Sequence, residues 1–276
     1  MSRLAILLLV LAMSACGSPP APQASGNAAS PTRIVSLDYC ADQYVLKFAD
    51  RDDILAVSPD ASKEFSFMHE AAVGIPTIRP IAEDVLLLKP DLVVRSYGGG
   101  PGATQFFEQA GIPVLDVGWT PDLPAVLANT QRMADGLGQR ERGAVVVADA
   151  RSRLEALARE ADTKSALYMT PAGVTTGPGS LVHEMMTAAG LSNFETEPGW
   201  RSIPLEQLAY DEPDIVIPAS FSSHASALNS WSAMKHPIAK AQVSNHTTIP
   251  LPGAWTSCNG WFLIDGVELL AEGASP

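Results

Sequence analysis

The stretch Glu83-Asp84-Val85-Leu86-Leu87-Leu88-Lys89-Pro90-Asp91-Leu92-Val93-Val94 decides how this chain is read, because the chain says it twice. A separation of 123 positions leads to Glu206-Gln207-Leu208-Ala209-Tyr210-Asp211-Glu212-Pro213-Asp214-Ile215-Val216-Ile217. Both copies put a Glu seven positions ahead of Pro-Asp, and both follow the Asp with an apolar, β-branched run. Each predicts a short helix that stops before the proline, whose ring disfavours α backbone in the residue ahead of it, and then a buried strand. Helix-Pro-Asp-strand is a common α/β connection. The repeat therefore carries weight only if the rest of the chain also divides in two.

It does divide. Before and around the first copy, residues 33–37, 54–58, 91–94 and 112–117 read as strands, with helices at 43–49 and 103–109 and a loop at 38–42. Residues 123–161 form one long helical region, interrupted near Gly136 and Gly138, and the part after Gln139 predicts a single helix of about six turns. The alternation then resumes with a strand at 165–169, a turn at 175–180, a helix at 181–189 closed by Gly190, the second copy, a last strand at 249–251 and a final helix at 261–271. The expected fold class is α/β: two Rossmann-like lobes, 33–133 and 164–276, connected by a single long backbone helix within 134–163. In mostly parallel sheets ligands gather beyond the carboxyl ends of the strands. Tyr39, the 58–69 loop, Tyr97 and Trp119 all fall at such ends.

The 276 residues are 46% hydrophobic and 17% charged, with a formal charge of -12 and no basic run. That balance excludes nucleic acid and acidic membrane surfaces as partners. Arg3 followed by an apolar run at 4–12 is too short to span a bilayer, and Met13-Ser14-Ala15-Cys16 resembles a bacterial lipoprotein signal. Residues 1–15 then read as a signal peptide, Cys16 as the lipidated residue, and 16–32, rich in Ser, Pro, Ala and Gly, as a flexible tether. The alternative is an ordinary secretory signal with an incidental cysteine. Either way the expected address is the periplasm, and with the lipid the protein is membrane-anchored. An oxidising compartment permits a disulfide between the remaining Cys40 and Cys258, which spacing alone does not decide.

The order and spacing of these parts are similar to the two-lobed substrate-binding proteins of ABC importers that take up cobalamin, iron-siderophores and haem. The resemblance is carried by Arg33-Ile34-Val35-Ser36-Leu37, by Leu88 to Val94, by Val174-Thr175-Thr176-Gly177-Pro178-Gly179-Ser180, by Trp200 with the Glu206 segment, and by the 255–270 end. It covers essentially the whole mature chain. It implies a binding protein rather than an enzyme, a shallow interlobe cleft, and a metal-chelate ligand (ferric siderophore, haem or corrinoid) with no resident cofactor. It also implies that Glu83 and Glu206, exposed near the starts of their helices, dock against arginines of the permease that works with its ATPase. The plainer reading is that Glu suits an early helical position through the helix dipole. A monomer is expected.

Aromatic rings offer large apolar area at low entropic cost and stack on flat macrocycles. The loop-end candidates are Tyr39, Phe65, Phe67, Tyr97, Trp119, Trp200 and Trp255. Related proteins place ligand contacts where Trp200 and Trp255 stand, whereas Trp231 and Trp261 read as packing residues. Arg95 and Arg201 either meet ligand carboxylates through bidentate hydrogen bonds or pair between neighbouring loops. So few cations keep neutral chelates, corrinoids among them, fully in play. Cys40 and Cys258, expected at the cleft from opposite lobes, could ligate a soft metal, form a disulfide, or be unrelated.

Two other classes of function have less support in the sequence. Capture of a bare transition-metal ion would draw on His69, His183, His224, His236 and His246, but no two have the spacing of a local ligand pair. For an enzyme, His183-Glu184 lacks the second His of a zinc-protease helix, Thr176-Gly177-Pro178-Gly179-Ser180 lacks a phosphate-loop Lys, and no Gly-x-Ser-x-Gly elbow occurs.

Overall fold

A computed structural model describes residues 30–157, 164–220 and 233–275. The signal, Cys16, most of the tether, and the Phe221, His224 and Trp231 positions lie outside the described residues. The first lobe is a four-stranded parallel sheet of β1 (Ile34–Ser36), β2 (Ile54–Ala56), β3 (Leu92–Arg95) and β4 (Val114–Asp116), in the order β2-β1-β3-β4. Alternate residues feed opposite faces: Ile34 and Val94 point into one core, Val35 and Val93 into the other. Helices α1 (Tyr39–Phe48), α2 (Ala82–Leu87) and α3 (Ala103–Gln109) connect these strands.

The second lobe has its own parallel sheet. β5 (Ser165–Met169) lies between β7 (Ser192–Asn193) and β9 (Ile215–Ser220), with β10 (Thr247–Thr248) and β11 (Leu251–Pro252) both pairing on β9. β6 (Val174–Thr176) and β8 (Trp200–Ser202) make a separate antiparallel ribbon, and α6 (Leu181–Ala188) and α7 (Pro237–Asn245) complete the lobe.

Both repeat copies do the same structural work. The Asp91 carboxylate accepts the backbone N–H of Thr32 and of Arg33, each at 3.0 Å, where the chain enters β1. Asp214 accepts the N–H of Ser165 at 2.7 Å and its hydroxyl at 3.0 Å, at the entrance to β5. The strand of each copy then pairs in parallel with the strand its Asp has just anchored. Proline removes a backbone donor, and the following carboxylate adds acceptors at a strand edge. The copies differ ahead of the proline. The first is the α-helix α2, and just past its end the carbonyls of Leu88 and Lys89 accept from the Arg33 guanidinium at 2.6 and 2.9 Å. The second tightens to a single 3-10 turn, Gln207–Ala209, in place of the expected helix.

Among the described residues the lobes are joined in three places. α4 (Leu123–Gly136) starts in the core of the second lobe with Leu123, Val126 and Leu127, and ends in that of the first with Met133, Ala134 and Leu137. α5 (Arg140–Leu157) returns alongside it: Arg142 donates to the Phe48 carbonyl at one end, while Arg153 pairs with Asp265 and Glu268 at the other. Gly143 permits this approach, since a Cβ there would sit 2.5 Å from that of Ala134. The long helix expected after Gln139 is therefore present with an antiparallel partner. The third crossing is the segment 253–262. It leaves the second lobe, inserts Trp261 and Phe262 into the first, and returns as α8 (Leu263–Ala274). The final helix begins at Leu263, and not at residue 261, because those two rings are pulled into the other core. Phe262 stacks on Phe67 at 4.4 Å, and Trp261 lies edge-on to Tyr44, Phe48 and Phe67.

Candidate ligand-binding cleft

The site grows from a buried carboxylate. Asp38, read from sequence as part of a loop, is the N-cap of α1: one oxygen accepts from Ala41 N–H at 3.0 Å, so the helix begins at Tyr39. Its other oxygen accepts the N–H groups of Ser96, Tyr97 and Gly98 at 2.7, 3.0 and 2.8 Å. One side chain thus starts a helix and folds the loop after β3 over it. Gly98 is required there, because a Cβ would lie 2.4 Å from the Leu37 carbonyl oxygen. Beneath the loop, Asp42 accepts the N–H and hydroxyl of Ser58, and burial pushes its carboxyl up to about 6. In the second lobe, Ser180 caps α6 through His183 N–H at 3.1 Å.

Between these loops lies a cavity of about 560 Å³ with walls from both lobes. Trp119, just past β4, and Trp200, at the start of β8, line it while remaining 80% and 57% exposed. Two indoles left in water at a cleft are available to a ligand face. The crossing segment contributes Thr256, Ser257, Cys258 and Asn259 to the lining. Its Asn259 amide donates to Gly118 O at 3.3 Å and Thr120 Oγ1 at 3.0 Å, bracketing Trp119 from both sides. The Asn259 carbonyl in turn accepts from the Tyr44 hydroxyl at 2.6 Å, a phenol that burial pushes up to about 12.

Cys40 and Cys258 are joined in a disulfide with a Cα separation of 5.4 Å, and both line the cavity. Both sulfurs are committed to that bond, so the reading of the pair as thiolate metal ligands falls away. Among the described residues no group of three or more His, Cys, Asp or Glu is disposed to hold a metal ion.

The other expected site residues are distributed unevenly. Tyr39, Phe65 and Tyr97 form an edge-to-face cluster, with ring centroids 5.1 and 6.0 Å from Tyr39. Phe67 is turned into the first lobe on Phe262, and Trp255 packs against the second lobe's core. Arg95 is saturated by its own loops: it donates to Gly98 O and Gly100 O and to Thr104 Oγ1, and pairs with Asp116 at 3.3 Å. Arg201 faces Glu195 at 3.6 Å and Glu197 at 3.8 Å. Both arginines thus have acidic neighbours within the protein. Sequence reasoning missed Ser96, Asp116, Thr120, Ser257 and Asn259, all of which line the cavity. Small polar residues carry no periodic or compositional signal of a site. Only the Cys258-Asn259 neighbourhood, quoted for its cysteine, offered a hint.

A two-lobed fold with its cleft at the strand ends is matched by what the chain resembles. The model of the periplasmic binding protein family matches residues 34–230. This chain belongs to that family. Family members and structural neighbours are binding proteins, not enzymes, and membership implies a periplasmic location. Among curated relatives, a cobalamin-binding protein of Halobacterium salinarum is 27% identical over 223 residues, 74% of this chain and 59% of the relative's length. The chain thus matches only about three fifths of that relative. Among solved structures, the periplasmic haem-binding protein HutB of Vibrio cholerae has a TM-score of 0.73 at 17% identity, covering 89% of this chain and 99% of that one. A periplasmic haem-binding protein from Pseudomonas aeruginosa has 0.69 at 23%, covering 87% and 91%. The vitamin B12 binding protein BtuF of Vibrio cholerae has 0.65 at 20%, covering 88% and 96%. These likenesses establish the binding protein's fold. No helix among the described residues is long and apolar enough to cross a membrane.

Proposed function

We propose that this binding protein is a lipoprotein, anchored through Cys16, that captures a corrinoid-type metal chelate between Trp119 and Trp200 and delivers it as a monomer to an ABC importer. One observation carries the choice of ligand. Among the described residues lining the cavity there is no Arg, Lys, His, Met or Tyr. A haem calls for an axial ligand from the protein and partners for its propionates, and an anionic siderophore calls for cations. A corrinoid brings its metal already coordinated and asks for apolar faces and scattered hydrogen-bonding groups. Trp119, Trp200, Ser96, Thr120, Ser257 and Asn259 supply these. The curated relatives' name points the same way.

Titration of the purified protein with cyanocobalamin, haemin and a ferric tris-catecholate, followed by tryptophan fluorescence and visible absorbance, tests this. Saturable quenching by cyanocobalamin is expected, weakened about tenfold or more in Trp119→Ala and in Trp200→Ala. A haemin complex with the spectrum of protein-ligated iron would overturn the corrinoid reading. Saturable binding of zinc or cobalt ions without any chelate would overturn chelate capture itself.

Delivery rests on Glu83 and Glu206. Both are exposed, and neither has an ion-pair partner among the described residues. Glu83→Lys with Glu206→Lys is expected to leave cyanocobalamin binding unchanged and to abolish stimulation of the importer's ATPase. With three crossings between the lobes, closure on binding is expected to be small, and solution scattering with and without cyanocobalamin measures it.

A further inference from the structure

We infer that the docking face of this protein is amphipathic: Leu87 and Tyr210 are a matched pair of apolar anchors that enter the permease beside the salt-bridging Glu83 and Glu206. The inference rests on the docking role proposed above for the two acids and adds a second kind of contact to it.

The offset between the copies, 123 positions, relates more than the acids. Val85 and Leu208 are equivalent, and both are buried, at 0% and 3% exposure; they hold the short helix and the 3-10 turn onto their lobes. Four residues beyond each acid stand Leu87 and Tyr210: Leu87 lies one turn of α2 from Glu83, and Tyr210 closes the 3-10 turn that Glu206 opens. They are 81% and 94% exposed. Among the described large hydrophobic residues the next most exposed are Trp119, in the cleft, at 80%, then Val145 at 70% and Val73 at 68%. An isolated exposed leucine is ordinary on any protein surface. Here the same position of an internal repeat is apolar and solvent-covered twice, although the two residue types and the two backbones differ. The fold does not use either side chain, since the inward position two residues earlier already anchors each segment.

The surroundings specify the occupant. Beside Tyr210 lie the acids Glu206, Asp211 and Glu212, on a chain whose formal charge is -12. An uncharged or acidic surface would be repelled or left unpaired there, so the partner must present basic groups with an apolar recess next to them. Two equivalent patches on one molecule fit a partner that offers that surface twice. Engaging both makes the second contact intramolecular. A tyrosine or leucine seated in such a recess and ringed by ion pairs has the make-up of an interface hot spot.

The test uses the full protein and the ABC importer of the same organism, purified into lipid nanodiscs, with ATPase stimulation as the titration signal. Leu87→Ser with Tyr210→Ser is expected to raise the half-saturating concentration about tenfold or more, with cyanocobalamin affinity and melting temperature unchanged. Because an apolar contact is not screened, docking of the wild type should survive high salt better than that of the Ser variants. Wild-type stimulation by the Leu87/Tyr210 variant, alongside loss in Glu83→Lys with Glu206→Lys, would overturn the anchors and keep the acidic docking. Normal coupling in the Glu variant would remove the docking reading and this inference together. Sedimentation supplies a third outcome: a concentration-dependent dimer of the wild type that the Ser variant abolishes would make the patches a self-association surface and overturn the permease assignment.

Discussion

Set side by side, the two repeat segments agree where they face inward and where they anchor a strand, and differ in the helical form that lies between. Val85 and Leu208 are buried, and Asp91 and Asp214 tie down β1 and β5 in the same manner. Yet one segment is an α-helix followed by two carbonyls that Arg33 covers, and the other is a 3-10 turn. A lobe of this plan needs its strand anchored and one apolar side chain turned in; it is indifferent to which helical form intervenes. The lobes differ more deeply in their cores. The second is built from its own elements together with α4, α5 and α8. The first is completed by Cys258, Trp261 and Phe262, borrowed from the far end of the chain.

That asymmetry can be broken by substitution. Phe262→Ala removes a fully buried ring from the first lobe, and about 3–5 kcal/mol of stability should be lost, read from chemical denaturation. The loss should appear first in probes of the first lobe, and a variant in which both lobes melt together as in the wild type would contradict the borrowed core. Replacing Cys40 and Cys258 together by Ser opens a loop spanning 218 residues and should cost about 2–5 kcal/mol. Because that bond also lines the cavity, cyanocobalamin binding should weaken with it, whereas an unchanged midpoint in denaturant would remove the bond from the list of stabilising contacts.

A subtler difference lies in titration. The buried Asp42 of the first lobe has its carboxyl raised from 3.8 to about 6, chiefly by desolvation. The folded protein then holds this proton more tightly than the unfolded chain. Its contribution makes stability fall as pH rises through that window, by at most about 1.4 kcal/mol per pH unit. In the second lobe Asp214 is shifted the other way by its bonds to Ser165, so any dependence it adds lies below 3.8 and has the opposite sign. Asp42→Asn should flatten the slope between about pH 4 and 6, measured as melting temperature against pH, and an unaltered slope would assign it to other groups. The smallest effect compares equivalents: Asp91→Ala and Asp214→Ala should each cost about 1–3 kcal/mol, and by similar amounts. A cost confined to one lobe would mean the copies share a sequence and not a function.

Much of this was legible beforehand. β5 and α3 lie where the periodicity placed them, and α2 follows from the Pro-Asp signal, because alternation, helical spacing and the steric demand of proline act within a few residues. Residues 39–42 read as loop in the sequence and are helix in the structure, because a cap such as Asp38 differs from an ordinary loop residue only in where its side chain points. The packing of Trp255 against the second lobe's core is not legible for another reason. An aromatic at a loop end faces cleft or core depending on which neighbour leaves a hole.

What the residues alone determined is the pair of lobes, the strands and helices that build them, and the two acids at matching positions, all of them consequences of local backbone preference and of which side chains avoid water. The tertiary structure alone decided that Trp119 and Trp200 share a cavity, that Arg95 is consumed by its own loops, that the cysteines bond across 218 residues, and that the end of the chain finishes the first lobe. These depend on contacts between distant segments, where close packing selects one partner among many of the same chemistry.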